Sequence, residues 1–267
     1  MSQVEDVLDT YRNHLPLTVR QIFYRLVGIY DYDKTELAYK RLCQYIINAR
    51  RARMMSFDSI RDDSSSRFNH RCWDDPDDIW FNFELQAEEY VKDKRLNQPH
   101  DVYIVAEAAG MIPQLARVAQ PYSIPVMSSG GFNSLTVKYD MAAEVKRKGK
   151  PAIFLHVGDY DPSGVSIYDS LAADVIAFSE GLASFERVAL TPEQIKHHNL
   201  PTAPAKATDR RGNKVKDTCQ AEAMPPDILA DTVDQAIIKK YDMALFEVDK
   251  HNEVRERETI IKRLNAF

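Results

Sequence analysis

Ala152-Ile-Phe-Leu-His-Val-Gly-Asp159-Tyr-Asp161-Pro-Ser-Gly164 is the stretch on which the fold turns. An apolar run with the character of a buried strand stops at two carboxylates one residue apart. Pro162 and Gly164 end the strand, and residues 165–178 carry a helical pattern. Carboxylates at the carboxyl end of a buried strand sit where open α/β sheets bind ligands. Two neighbouring carboxylates repel unless a cation offsets them, and a hard divalent ion such as Mg2+ (or Mn2+) takes oxygen ligands. A solvated Asp-rich turn that caps the next helix is the other reading of these residues.

On either side the chain alternates strand with helix from residue 99 onward. Strands are expected at 102–106, 124–127, 152–157 and 187–190. Helices are expected at 110–119, from the Ser129-Gly130-Gly131 turn to about 148, at 165–178, from 225 to 240 and from 250 to 264. Such alternation implies a parallel sheet covered on both faces. The strand at 102–106 ends in Glu107, so Glu107, Asp159 and Asp161 are brought to one sheet edge. A helix N-terminal acid favoured by the dipole is the alternative for Glu107. The basic segment at 201–217, with Lys206, Arg210, Arg211, Lys214 and Lys216, is expected to be a loop.

The first 95 residues read differently. Amphipathic helices are expected at 4–11, at 18–28 with Thr18 as N-cap and Gly28 as stop, and at 35–52. Residues 54–70 are polar and serine-rich, a wing-like loop, and Asp75-Pro76 opens a further helix. Three helices and a wing suit a winged-helix module. The fold expected is therefore α/β, with a mostly helical winged-helix-like domain over 1–95 and a Rossmann-like parallel sheet domain over 96–267.

Composition narrows the class. The 267 residues are 44% hydrophobic with a net charge of -5, and the mean hydropathy is -0.42. There is no long uncharged apolar run, so no membrane span is expected. The opening Met-Ser-Gln-Val-Glu-Asp has neither the basic nor the apolar region of a signal peptide, and a cytoplasmic location is expected. Cys43, Cys72 and Cys219 are few and scattered, which fits reduced thiols; His70 and Cys72 have no second pair to complete a zinc site. The acidity is uneven: residues 10–73 hold twelve Lys/Arg against six Asp/Glu. Arg50, Arg51 and Arg53 end a helix there, either as dipole-favoured cations or as contacts to a DNA backbone.

Glu107 with Met111, the Ser129-Gly130-Gly131 turn and Asp159-x-Asp161-Pro-x-Gly164 together resemble the Toprim domain of topoisomerases, bacterial primases and certain nucleases. The order of the two halves resembles the A subunit of topoisomerase VI and the meiotic double-strand-break transesterase. Thr18-Val-Arg20-Gln-Ile22-Phe23-Tyr24 is similar to the winged-helix motif of that family, whose last Tyr attacks DNA. The likeness covers about residues 15–178. Cys219-Gln-Ala-Glu222-Ala-Met-Pro-Pro resembles a segment after the Toprim core in relatives, including the nuclease subunit of a plasmid-defence complex. The resemblance implies that Asp159 and Asp161 hold Mg2+, that Glu107 is a general acid/base and metal ligand, and that Glu222 adds a further acid. It implies double-stranded DNA as substrate, a homodimer in which Tyr24 of one protomer serves the metal of the other, and a separate ATPase subunit, since no Walker loop is present. Two departures stand out: Ala108 follows Glu107 where many Toprim domains have Lys, and Phe23 replaces the first of a frequent Tyr pair.

The chemistry of the residues fits that implication. A phenol with an ordinary pKa of about 10 needs a cation or base to attack a phosphodiester. Arg20 and Tyr24 stand at i and i+4 on one helix face, so Arg20 can hold the phosphate that Tyr24 attacks. Tyr24 packed as a core aromatic and Arg20 as a surface cation is the competing reading. Three functions follow: tyrosine transesterification with a phosphotyrosine link, hydrolytic cutting by a Toprim metallonuclease, or DNA binding without catalysis.

Overall fold

The computed structural model describes residues 2–61, 72–128, 134–205 and 217–266. Most of the wing-like segment, the Ser129-Gly130-Gly131 turn, His70 and the basic residues at 206–216 lie outside them.

Three helices open the chain: α1 (Ser2–Thr10), α2 (Val19–Tyr30) and α3 (Glu36–Arg51). Thr18 caps α2 as expected. Its hydroxyl accepts from Gln21 N at 3.1 Å and its N–H donates to Gln21 Oε1 at 2.9 Å, which satisfies two orphan groups reciprocally. Gly28 does not stop the helix. The turn comes at Asp31, whose φ of 51° supplies the left-handed residue, and Tyr32 N–H reaches back to Leu26 O at 3.2 Å. Leu17 forms a parallel bridge with Ile60, tying the start of α2 to the segment after α3. Asp75 then caps α4 (Pro76–Glu88) through bonds from Asp77 N and Asp78 N.

The sheet follows. Strands β1 (Asp101–Ala106), β2 (Val126–Ser128), β3 (Ala152–Val157) and β4 (Ala183–Ala189) run parallel in the order β2-β1-β3-β4. β4 starts four residues earlier than its sequence pattern implies, because Ser184, Glu186 and Arg187 interrupt the apolar run. Helices α5 (Ile112–Ala119), α6 (Leu135–Lys148), α7 (Pro162–Phe178) and α8 (Pro192–His197) follow the strands in turn. A pair of two-residue strands, β5 (Ala203–Pro204) and β6 (Asp217–Thr218), precedes α9 (Pro226–Ile238) and α10 (Met243–Leu264). α10 begins well before the charged stretch at 250, since Asp242 accepts from Ala244 N and Leu245 N and starts it. Among the described residues no helix is long and apolar enough to cross a membrane.

Each sheet face has its own core. Tyr103, Val105 and Phe154 face α6 and α7, where Met141, Val145, Leu171 and Val175 close over them. Phe154 stacks between Tyr103 and Phe185 at centroid distances of 4.8 and 4.7 Å. Ile104, Ala106, Leu155 and Val157 face the other way, into a core shared with α5, α9 and the three N-terminal helices. That core is continuous across the expected boundary near residue 95. α10 also returns to the first half, where Asp249, fully buried, accepts from Asn97 Nδ2 at 2.9 Å.

Register sets the site. Ala106 lies opposite Val157, so β1 and β3 leave the sheet at the same level with Glu107 and Gly158 as their next residues. Truncating the buried Leu155 to Ala leaves a cavity in this layer and is expected to cost ~2–5 kcal/mol. Urea unfolding followed by circular dichroism checks this, with exposed Leu37→Ala expected to stay within about 0.5 kcal/mol of the wild type.

Candidate functional site

At the carboxyl edge of the sheet the chain brings Glu107 and the Asp159–Asp161 turn together. Glu107 N–H continues the ladder to Val157 O at 2.8 Å, which aims its side chain across the end of β3. There Glu107 Oε2 accepts from Asp159 N at 2.8 Å. The approach is close enough to require glycine. A Cβ on Gly158 would lie 2.7 Å from Glu107 Oε2, and one on Gly164 would lie 2.9 Å from it and 2.6 Å from Asp159 O. Asp161 caps α7 through its Oδ1, which accepts from Gly164 N at 2.6 Å. The helix-cap reading of the sequence holds for Asp161, and Glu107 is brought against the Asp159 backbone at the sheet edge.

A segment distant in sequence completes the surroundings. Tyr160 and Cys219 pair through two backbone bonds, Tyr160 N–H to Cys219 O at 2.8 Å and Cys219 N–H to Tyr160 O at 2.9 Å. This draws residues 220–222 alongside, and Ala221 N–H donates to Asp159 Oδ1 at 2.8 Å. Gln220 Oε1 accepts a short hydrogen bond from the Tyr24 hydroxyl. Glu222 Oε2 stands 3.9 Å from Arg20 Nε. Arg25, buried one helical position beyond Tyr24, anchors the same segment by donating to Ala223 O. Tyr24, Arg20 and the acidic edge therefore meet within one protomer, without a second copy.

Electrostatics mark the cluster. Burial, and then the charge of Asp159, push the Glu107 carboxyl up to about 7. Burial raises Asp159 too, opposed by the Ala221 N–H. Burial lifts Glu222 to about 7 against the pull of Arg20. The Tyr24 phenol is raised by burial, with the Arg20 charge acting the other way. Only 6% of Tyr24 is exposed. Partly buried carboxyls with raised pKa values at one sheet edge make this the candidate functional site.

The donor set suits a hard cation. In Glu107, Asp159 and Asp161, one oxygen of each carboxylate accepts from a backbone N–H. Among the described residues, no three His, Cys, Asp or Glu side chains already stand close enough together to grip a metal ion. Asp159 and Asp161 are the residues that would hold Mg2+, with Glu107 beside them; such an ion would offset the charge gathered at this edge.

The remaining expected residues fall less uniformly. Arg51 and Arg53 are exposed at the end of α3. Arg50 instead holds the chain after α3, donating to Phe57 O and Ile60 O at 3.2 Å and lying 4.4 Å over the Phe57 ring. Three residues the sequence did not single out matter. Gln220 holds the Tyr24 hydroxyl. Arg187 donates to the carbonyls of Gly158, Asp159 and Leu190, fixing the acidic turn from below. His156 is fully buried beneath Gly158, held neutral by burial that pushes it down to about 3. A charged residue at the start of the apolar run Val188-Ala189-Leu190 was the only available signal for Arg187.

Compared with protein-family models, with curated proteins and with solved structures, the chain gives no match.

The raised carboxyls fix a direction of pH dependence. Glu107 and Glu222 bind protons more tightly folded than unfolded, so their contribution is fully present below about 4.5 and is lost as pH rises through about 7. Without divalent ions, the melting temperature is expected to fall by several degrees from pH 5 to pH 8. Mg2+ should restore part of that loss at pH 8 and little at pH 5, as differential scanning calorimetry would record; an equal Mg2+ effect at both pH values would contradict the assignment.

Proposed function

We propose that this chain cleaves DNA phosphodiesters with Mg2+ at Asp159 and Asp161, using Tyr24 as nucleophile. The observation that carries the reading is that the 219–222 segment joins Tyr24, Arg20 and the Glu107–Asp159 pair in one protomer. The resemblance to the topoisomerase VI A subunit supplies the substrate class. The exposed Arg51 and Arg53 and the basic character of residues 10–73 suit a DNA backbone.

In this reading Arg20, about half exposed, holds the scissile phosphate while its charge favours the phenolate of Tyr24. The tyrosine exchanges its bond to Gln220 for the phosphorus and releases its proton to water. A new P–O bond to Tyr24 forms as the P–O bond to the deoxyribose breaks. Glu107, titrating near neutrality, gives the leaving oxygen its proton. Bound Mg2+ supplies positive charge to the transferring phosphate. The phosphotyrosine product keeps the bond energy for religation. A homodimer and a separate ATPase subunit belong to the same proposal. The attack within one protomer differs from the exchange between protomers that the resemblance implies.

A specific observation favours hydrolysis as the second reading. Tyr24 is buried, hydrogen-bonded to Gln220 and raised in pKa, a poor nucleophile until that bond opens. An activated water at the Asp159–Asp161 edge would then cut without a covalent intermediate.

Supercoiled DNA incubated with the protein and Mg2+ and stopped with denaturant separates the two. Protein-linked ends that vanish in Tyr24→Phe are expected, with Asp159→Ala reducing cleavage at least ~100-fold, the scale on which charge-stabilising groups act. Free ends that persist in Tyr24→Phe would transfer the chemistry to water. Binding without cleavage in every variant would leave a DNA-binding protein.

A further inference from the structure

The surface of α4 is left almost wholly uncovered. Of its 13 residues only Ala87 is buried, while Trp80 and Phe81 are 53% and 58% exposed. Its principal neighbour is α10. The two helices run antiparallel. The Tyr90 hydroxyl, just past α4, donates to Glu256 at 2.6 Å, and Phe83 lines a cavity of about 500 Å3 together with Ile260 and Leu264. Leu264 is the last residue of α10, so the turns of α4 before Phe83 have no α10 turn beside them. Trp80 and Phe81 stand on those turns. Two large aromatic side chains held in water on one short helix mark an interaction surface.

Charge says what covers it. Asp77, Trp80, Phe81, Glu84 and Glu88 recur at helical spacing and form one exposed stripe. Residues 74–91 hold seven Asp/Glu and no Lys/Arg. Beside this stripe α10 exposes Arg255, Lys262 and Arg263; Arg255 and Arg263, two turns apart, line a second hollow with Thr259 and Ile260. Among the described residues none of these three acids and three bases is in an ion pair. An acidic stripe with aromatic knobs thus lies next to a basic stripe and an apolar groove on one chain. A partner of uniformly acidic or uniformly basic chemistry would satisfy half of that surface. A second copy turned about a two-fold axis satisfies all of it. With Trp80 of one copy at Phe83 of the other, antiparallel packing carries Asp77 to the level of Gln86, which shares its cavity with Arg263.

We propose that α4 and α10 form an interface with a second copy of this chain, an isologous dimer contact anchored on Trp80 and Phe81. It gives a face to the dimer named above. It does not rest on the cleavage chemistry, because Tyr24, Arg20 and the carboxylates already meet within one protomer.

Sedimentation velocity of the full chain over a series of concentrations tests this, and a monomer–dimer equilibrium is expected. Trp80→Glu should raise the dissociation constant at least about 30-fold, the effect of losing a hot-spot aromatic. Its circular dichroism spectrum should stay that of the wild type, since the side chain is exposed. Arg263→Glu should weaken the dimer too. Adding Asp77→Arg to the same chain should restore it, because each reversed base then meets a reversed acid in the other copy. A chain that stays monomeric up to its solubility limit, a dimer untouched by Trp80→Glu, or no restoration by the second reversal would overturn the proposal. Protein-linked DNA ends from a monomeric chain would leave the Tyr24 reading standing; a dimer with these properties and no such ends would sink that reading alone.

Discussion

Like charge held close at the sheet edge is the constraint around which the molecule is arranged. Glu107 and Asp159 face each other across the ends of β1 and β3, and Asp161 follows one residue later. Folding this way places negative charge against negative charge in a partly buried corner, which is unfavourable without compensation. The chain compensates with backbone. Asp159 N–H, Ala221 N–H and Gly164 N–H each donate to one of the three carboxylates. Arg187 adds a cation beneath the turn, bonded to the carbonyls of Gly158 and Asp159. The compensation is incomplete: burial, and then the charge of Asp159, still raise the Glu107 carboxyl. In the proposed function a bound cation would complete it.

The second arrangement is the Tyr160–Cys219 pairing. It is a single antiparallel bridge, yet it carries residues 220–223 between α2 and the acidic turn. Without it Gln220 would not reach Tyr24, nor Glu222 reach Arg20. The bridge converts two separate features, an arginine–tyrosine helix face and a carboxylate edge, into neighbours. The shared core beneath α2, α5 and α9 gives this arrangement rigidity.

Much of this was readable from the residues, and the part that was not has a physical reason. Residues 152–157 read as a buried strand because a parallel sheet covered on both faces leaves no polar alternation. Asp161 followed by Pro162 read as a helix start because proline fits the first turn of a helix. Glu107 was found by its place at the end of the companion strand. The end of α2 was misplaced at Gly28 because a glycine signals a stop only where a left-handed residue is needed, and Asp31 fills that role. Gln220 and Arg187 were hidden for another reason: they depend on contacts between segments far apart in the chain, which leave no local pattern. Arg50 read either as a helix-end cation or as a DNA contact, and its bonds to the Phe57 and Ile60 carbonyls give it a structural task as well.

The central claim is that the carboxylates of two adjacent strand ends gather on one divalent cation. Crystals soaked in Mn2+ and measured at the manganese absorption edge test it directly. An anomalous peak bounded by Asp159 and Asp161 with Glu107 beside it is the predicted result. A peak elsewhere, or none while Asp161 still caps α7 and Glu107 stays on the Asp159 N–H, would contradict it.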